Sequence, residues 1–256
     1  MVSTKNRREE FRGQVVIVTG AAKGIGKATA LAFSQEGAIV VLVDVLEKEM
    51  ARVLGLIKKR KRSGLAVCAD VSDESQIQEV IQKTLKQFKT IDILVNNAGI
   101  VGPGGPAIQL EEKDWDRVFQ INLKSVFLFC KQVVPIMIKN KKGNIVNVAS
   151  IAGKESSAQL CAYSASKAGV ISFTRVLAKE LALTGIRVNS LAPSLVATGL
   201  LSSLSQKFLD QSLARVPMKR LGRPEEVADS ILFLASNKSS FITGQCLNLT
   251  GGRGEY

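Results

Sequence analysis

Short apolar runs and amphipathic segments alternate along the whole chain. The runs are compact and rich in valine and isoleucine, as in Val15-Val16-Ile17-Val18, Val40-Val41-Leu42-Val43 and Ile93-Leu94-Val95. Continuous hydrophobicity of this kind marks strands buried on both faces, the habit of parallel sheets. Between the runs, apolar residues recur at three- and four-residue spacing, the period of helices that bury one stripe. Strands are therefore predicted at 14–19, 38–44, 64–69, 91–95, 143–149, 186–192 and 244–249. Helices are predicted at 24–36, 46–61, 73–88, 112–140, 160–183, 199–215 and 224–236. Strand and helix in regular turn predict an α/β fold, a doubly wound parallel sheet of seven strands with helices on both faces. In such sheets the ligand crevice lies at the carboxyl ends of the strands.

The chain has 256 residues, 46% of them hydrophobic, which fits one domain with an ample core. Residues 1–12 read as a charged N-terminal extension and 13–256 as the domain. The segment at about 195–216 has few turn breakers and reads as a helical lid over the crevice. The strand-like runs are too short to cross a bilayer, and the first dozen residues lack an apolar signal core. A cytoplasmic protein without a membrane partner is expected.

The chain contains no histidine, which excludes Ser-His-Asp and Cys-His catalysis and histidine-ligated zinc. Its four cysteines form no C-x-x-C pair, so no metal site is expected. The formal charge of +13 raises nucleic-acid binding as a possibility. However, the densest basic run, Lys58-Lys59-Arg60-Lys61-Arg62, closes an amphipathic helix, where cations complement the helix dipole. No nucleic-acid partner is expected.

Gly20, Lys23, Gly24, Ile25 and Gly26 lead from the first strand into the first helix, so backbone amides and a helix N-terminus face the crevice there. A pyrophosphate suits that cradle. Asp44 ends the second strand, placed to accept hydrogen bonds from ribose hydroxyls and to repel a 2′-phosphate, which favours NAD over NADP. Further along stand Asn122, Ser150, Tyr163 and Lys167. On a helix, residues four apart share a face, so Lys167 lies beside Tyr163. An ammonium there is expected to draw the phenol from ~10 toward roughly 7, about 4 kcal/mol of differential stabilisation. Tyr163 then serves as an acid or base at neutral pH.

These elements, in this order, resemble the short-chain dehydrogenase/reductase family from about Gln14 to the C-terminus. The matching set is Thr19-Gly20 with Gly24-Ile25-Gly26, Asp44, Asp70-Val71, Asn96-Asn97-Ala98-Gly99, Asn122, Ser150, Tyr163 with Lys167, and Pro193 to Thr198. The resemblance implies a Rossmann-like fold and hydride exchange between a nicotinamide and a secondary alcohol or ketone. It implies that Tyr163 moves the proton, Ser150 binds the same oxygen, Lys167 holds the nicotinamide ribose and Asn122 positions a water. It further implies cofactor contacts from Asp70, Val71, Asn97, Gly99, Pro193, Val196 and Thr198, and a homotetramer. Lys23 resembles the basic residue with which some members hold a 2′-phosphate, which keeps NADP open as the alternative. Where the family commonly has Pro-Gly, this chain has Pro193-Ser194.

Family members similar in sequence act on small molecules or acyl-carrier-linked substrates, as 3-oxoacyl-acyl-carrier-protein reductases or as sugar and sugar-acid dehydrogenases. Ser156, Ser157 and Gln159 offer polar contacts for a hydroxylated substrate, while Lys219, Arg220 and Arg223 offer cations for a carboxylate or a phosphopantetheine. Pocket walls are expected from the loop 102–108, the run 154–160 and the tail 251–256. A dinucleotide-binding sensor or scaffold without turnover is the alternative from another class.

Overall fold

The computed structural model describes residues 9–199, 201 and 206–254. Seven strands form one parallel sheet in the order β3-β2-β1-β4-β5-β6-β7. They are β1 (Val15–Thr19), β2 (Ile39–Asp44), β3 (Gly64–Cys68), β4 (Ile93–Asn96), β5 (Gly143–Val148), β6 (Ile186–Pro193) and β7 (Cys246–Leu249). Each falls within two residues of the predicted bounds. The order reverses between β1 and β4, which pair in parallel from Val16↔Ile93 to Val18↔Val95. A crevice opens at that point because successive crossovers leave in opposite directions.

Alternate side chains of each strand enter different cores. Val15 and Ile17 join the layer beneath α3 (Glu74–Phe88), α5 (Ser125–Lys139) and α7 (Cys161–Glu180). Val16 and Val18 join the layer beneath α1 (Gly24–Gln35), α2 (Glu47–Lys59) and α9 (Pro224–Ala235). Burial on both faces is why the strands read as unbroken apolar runs.

The structure departs from the sequence expectations in four places. The extension at 1–12 shortens, because Phe11 is buried and meets Phe33 edge to face at 4.9 Å, so the domain includes the turn from Glu9 onward. The single helix at 112–140 is α4 (Glu112–Phe119), a wider π turn at Gln120–Lys124, and α5. Its length and composition would suffice to cross a bilayer, yet half of that apolar stretch is buried inside the protein. A short helix, α6 (Ala152–Glu155), follows β5, where four residues carry no readable period. Of the helix predicted at 199–215, α8 (Gln206–Ala214) is observed, and part of the expected lid lies outside the described residues.

The basic run behaves as a helix end. Lys58 and Lys59 occupy the last turn of α2, Lys61 follows at φ 58°, and Arg62 pairs with Glu9.

Candidate active site

A cavity of about 630 Å³ occupies the crevice, a size ordinary for a cofactor site. On its floor is the turn between β1 and α1. Gly20 has φ 65°, and a Cβ there would meet Asn97 Nδ2 at 2.8 Å. At Gly26 a Cβ would come within 2.0 Å of the Gly20 carbonyl oxygen. The turn therefore closes only on hydrogen at both positions. Asn97 fastens it from β4, with Nδ2 donating to the carbonyls of Thr19 at 2.9 Å and Gly20 at 3.2 Å. Thr19 returns the tie, its Oγ1 accepting from the amides of Asn97 and Ala98.

Helix α1 begins on Lys23 with no side-chain cap and no acidic residue in its first turn. Its first amides thus keep their capacity for an anion, as a pyrophosphate site requires. Lys23 itself is exposed and faces Glu49 at 3.6 Å. Asp44 lines the cavity and holds two amides, Ala22 N–H to Oδ2 at 3.0 Å and Leu46 N–H to Oδ1 at 3.1 Å. It braces the glycine turn from the neighbouring strand, a structural task beside any contact with ribose.

Ser150, Tyr163 and Lys167 meet on the opposite wall. Ser150 leaves β5 and α7 presents Tyr163 and Lys167 one turn apart, as the four-residue spacing predicts. The Lys167 ammonium lies 5.9 Å from the Tyr163 ring centroid and donates to the Val148 carbonyl at 2.8 Å. Burial drives the Lys167 pKa down to about 8. Burial also raises the Tyr163 phenol above its ordinary value, opposed by a hydrogen bond with Ser150. This corrects the expectation of a phenol drawn toward neutrality. Attraction between phenolate and ammonium is only one side of the balance, and removing both charges from water weighs more in the protein alone.

Asn122 sits in the π turn, fully buried. Its amide pairs with the Ile100 backbone in both directions at 2.9 Å and donates to Ser166 Oγ at 3.1 Å. The side chain is thereby committed to fixing the loop after β4. It does not line the cavity, and neither does Gly26. Between Asn122 and Lys167 lies Gly99, where a Cβ would meet Asn122 Oδ1 at 3.2 Å and Lys167 Nζ at 3.3 Å.

Pro193, Val196 and Thr198 line the cavity as expected, and so does Ser194. The serine adopts no positive φ, so the family's glycine is not missed there. Among the described residues, its Oγ is buried without a hydrogen-bond partner. An orphaned hydroxyl beside a pre-formed amide cradle fits a polar cofactor whose own groups complete the bonding. Asp70 and Val71 lie apart. Asp70 accepts from Ser72 and approaches Arg117 at 3.5 Å, while Val71 is buried in the core. Asp70 forms the turn ahead of α3, and neither residue is among those lining this cavity.

Sequence reading missed Leu46, exposed at the β2 rim, and the buried Val101, whereas Leu195 and Phe208 fall in the segment read as the lid. Leu46 had a readable signal, an apolar residue just past an acidic strand end. Of the polar candidates, Ser157 lines the cavity but Ser156 and Gln159 do not. Arg220 and Arg223 are held by Glu226, and Lys219 donates to the Ala214 carbonyl, so none of these cations reaches the site.

A parallel sheet with a glycine turn at its switch point and a Ser-Tyr-Lys wall defines a nicotinamide-dependent oxidoreductase. The family model described as enoyl-(acyl carrier protein) reductase matches residues 20–253. The chain is 44% identical over 247 residues to the 3-oxoacyl-[acyl-carrier-protein] reductase FabG of Thermotoga maritima, covering 94% of this chain and 98% of that one. It is 40% identical to the (2S)-[(R)-hydroxy(phenyl)methyl]succinyl-CoA dehydrogenase subunit BbsD of Thauera aromatica, over 95% and 97% of the two chains. Among solved structures, levodione reductase superposes with a TM-score of 0.89 at 34% identity, covering 95% of this chain and 98% of that one. The chain belongs to the short-chain dehydrogenase/reductase family.

Proposed function

We propose that the protein is a cytoplasmic, NAD-linked reductase of 3-oxoacyl thioesters in which Ser150, Tyr163 and Lys167 handle the carbonyl oxygen and its proton. The meeting of those three side chains on one cavity wall carries the reading. Burial keeps the Tyr163 phenol protonated at neutral pH, the form that donates a proton to a carbonyl oxygen. Ser150 hydrogen-bonds the same oxygen as its charge grows. Lys167 then faces a phenolate instead of a phenol, and its ammonium offsets that charge in the buried wall. Asn122 is a positioning residue, since it fixes the Ile100 loop that packs Gly99 against Lys167. A bound nicotinamide supplies the hydride.

The apolar lining from Leu160, Leu195 and Phe208 favours an acyl chain over a polyol. The names of the relatives that act on acyl carriers and acyl-CoA support the same choice. Asp44 and Lys23 both line the cavity, but the Lys23 ammonium is partly offset by Glu49, so the carboxylate supports NAD over NADP. An exposed apolar strip on α5 and α7, with Phe127 and Val176 each about half exposed, supports assembly as a homotetramer.

A panel of 3-oxoacyl N-acetylcysteamine thioesters, cyclic ketones and aldonic acids, each with both nicotinamide cofactors, tests the reading. The largest kcat/KM is expected for a 3-oxoacyl thioester with NADH, and faster oxidation of an aldonic acid would overturn it. Asp44→Ala is expected to lower the NADH-to-NADPH ratio of kcat/KM about tenfold, the effect of losing roughly 1.4 kcal/mol of like-charge repulsion. Affinity for both cofactors should weaken as well, because Asp44 braces the turn through Ala22. An unchanged ratio would remove Asp44 from cofactor selection.

A further inference from the structure

The cavity lining includes a largely covered guanidinium. Arg253 shares the cavity lining with Leu160, Leu195 and Phe208, and its side chain is only 6% exposed. Its Nε donates to Glu155 Oε2 at 3.0 Å, and Arg215 Nη2 reaches the same oxygen at 3.3 Å. One carboxylate thus faces two guanidiniums, and the cluster keeps a net positive charge. Among the described residues, neither Nη group of Arg253 has a hydrogen-bond partner.

The tail holds this guanidinium firmly. Gly254 N–H donates to Thr250 Oγ1 at 3.2 Å, and a Cβ at Gly254 would meet Ile151 Cδ1 at 2.9 Å. The residue after Ser150 is therefore packed against the residue after Arg253. A surface latch between Arg253 and Glu155 would leave its cation in solvent. Here the side chain is largely covered, and what remains open of it faces a cavity walled largely by carbon. A guanidinium fork open to such a cavity matches a carboxylate in two parallel hydrogen bonds.

We propose that Arg253 binds a carboxylate of the substrate, so that the preferred 3-oxoacyl thioester carries a free carboxylate on its acyl chain. The thioester part rests on the function proposed above, and the carboxylate part stands on Arg253. Kinetics with the N-acetylcysteamine thioester of 3-oxoadipate and its methyl ester test it, on the wild type, Arg253→Gln and Glu155→Gln. The wild type is expected to show a KM at least tenfold lower for the acid than for the ester. Arg253→Gln should raise the KM for the acid about 30-fold, the loss of one charge-assisted pair, with kcat within threefold and the ester unaffected. Glu155→Gln frees the guanidinium and should lower the KM for the acid or leave it in place.

Equal KM values for acid and ester in the wild type, or equal damage to both substrates from both variants, would reduce Arg253 to a tail latch. An effect of Arg253→Gln confined to thioesters of phosphopantetheine would assign the guanidinium to a carrier phosphate and overturn the proposal. If neither thioester is reduced, the function proposed above fails, and adipate decides the carboxylate site by calorimetry with reduced cofactor present. Adipate binding that Arg253→Gln abolishes while dimethyl adipate stays inert supports the site, and no adipate binding refutes it.

Discussion

Tyr163→Phe is expected to cut kcat for carbonyl reduction about 10³-fold, the scale of a positioned general acid. The affinity for reduced cofactor, followed by fluorescence titration, should stay within about threefold. The ring remains to fill its place on α7, so only the hydroxyl and its bond with Ser150 are lost. A dinucleotide-binding scaffold would keep its behaviour through this change, which makes the variant decisive between the two classes. In the wild type the raised phenol stays protonated through the neutral range, and the first group to lose its proton is Lys167, at about 8. The kcat/KM for reduction should therefore hold from pH 6 to about 8 and decline above. A variant retaining more than a tenth of wild-type turnover would displace Tyr163 from the acid role.

Lys167→Met should abolish turnover to a similar degree and yet raise the melting temperature at pH 7. Lys167 is 4% exposed, and its pKa falls from 10.5 in the open chain to about 8 in the fold. Below pH 8 both states carry the proton, and the fold bears the full penalty of a buried ammonium, about 3 kcal/mol. Between about 8 and 10.5 the unfolded chain binds more protons than the folded one, so stability rises with pH and the penalty fades. Methionine removes the penalty but leaves the Val148 carbonyl without its donor, which returns about 1–2 kcal/mol. The net gain at pH 7 corresponds to a few degrees in a chain of this size, closing toward pH 10. Calorimetry at both pH values checks it. A variant melting below the wild type, by the same margin at both pH values, would show that the ammonium is not a stored cost.

Together the two variants describe a wall that is destabilised where it is chemically useful. Two ionisable groups are drawn out of water, each pushed toward its neutral form. The phenol is left ready to donate, and the ammonium is left poorly solvated and ready to meet a new negative charge.

Element order, strand placement and the positions of Gly20, Gly26, Ser150, Tyr163 and Lys167 were determined by the sequence alone. Their causes are local: burial on both faces makes strands continuous in hydrophobicity, helices repeat every three to four residues, and a turn that closes on hydrogen demands glycine. The tertiary structure decided what depends on distant neighbours. Asn122 reads as a polar candidate, but only packing gives its amide to the Ile100 backbone. Asp70-Val71 matches a motif, but only the fold ties Asp70 to Ser72 and buries Val71 in the core. The direction of the Tyr163 shift was missed because desolvation belongs to the surroundings and not to the spacing of two residues. The tail 251–256 and the run 154–160 read as pocket walls from the sequence, but the pairing of Arg253 with Glu155 across 98 positions arises only when the tail docks beside Ser150.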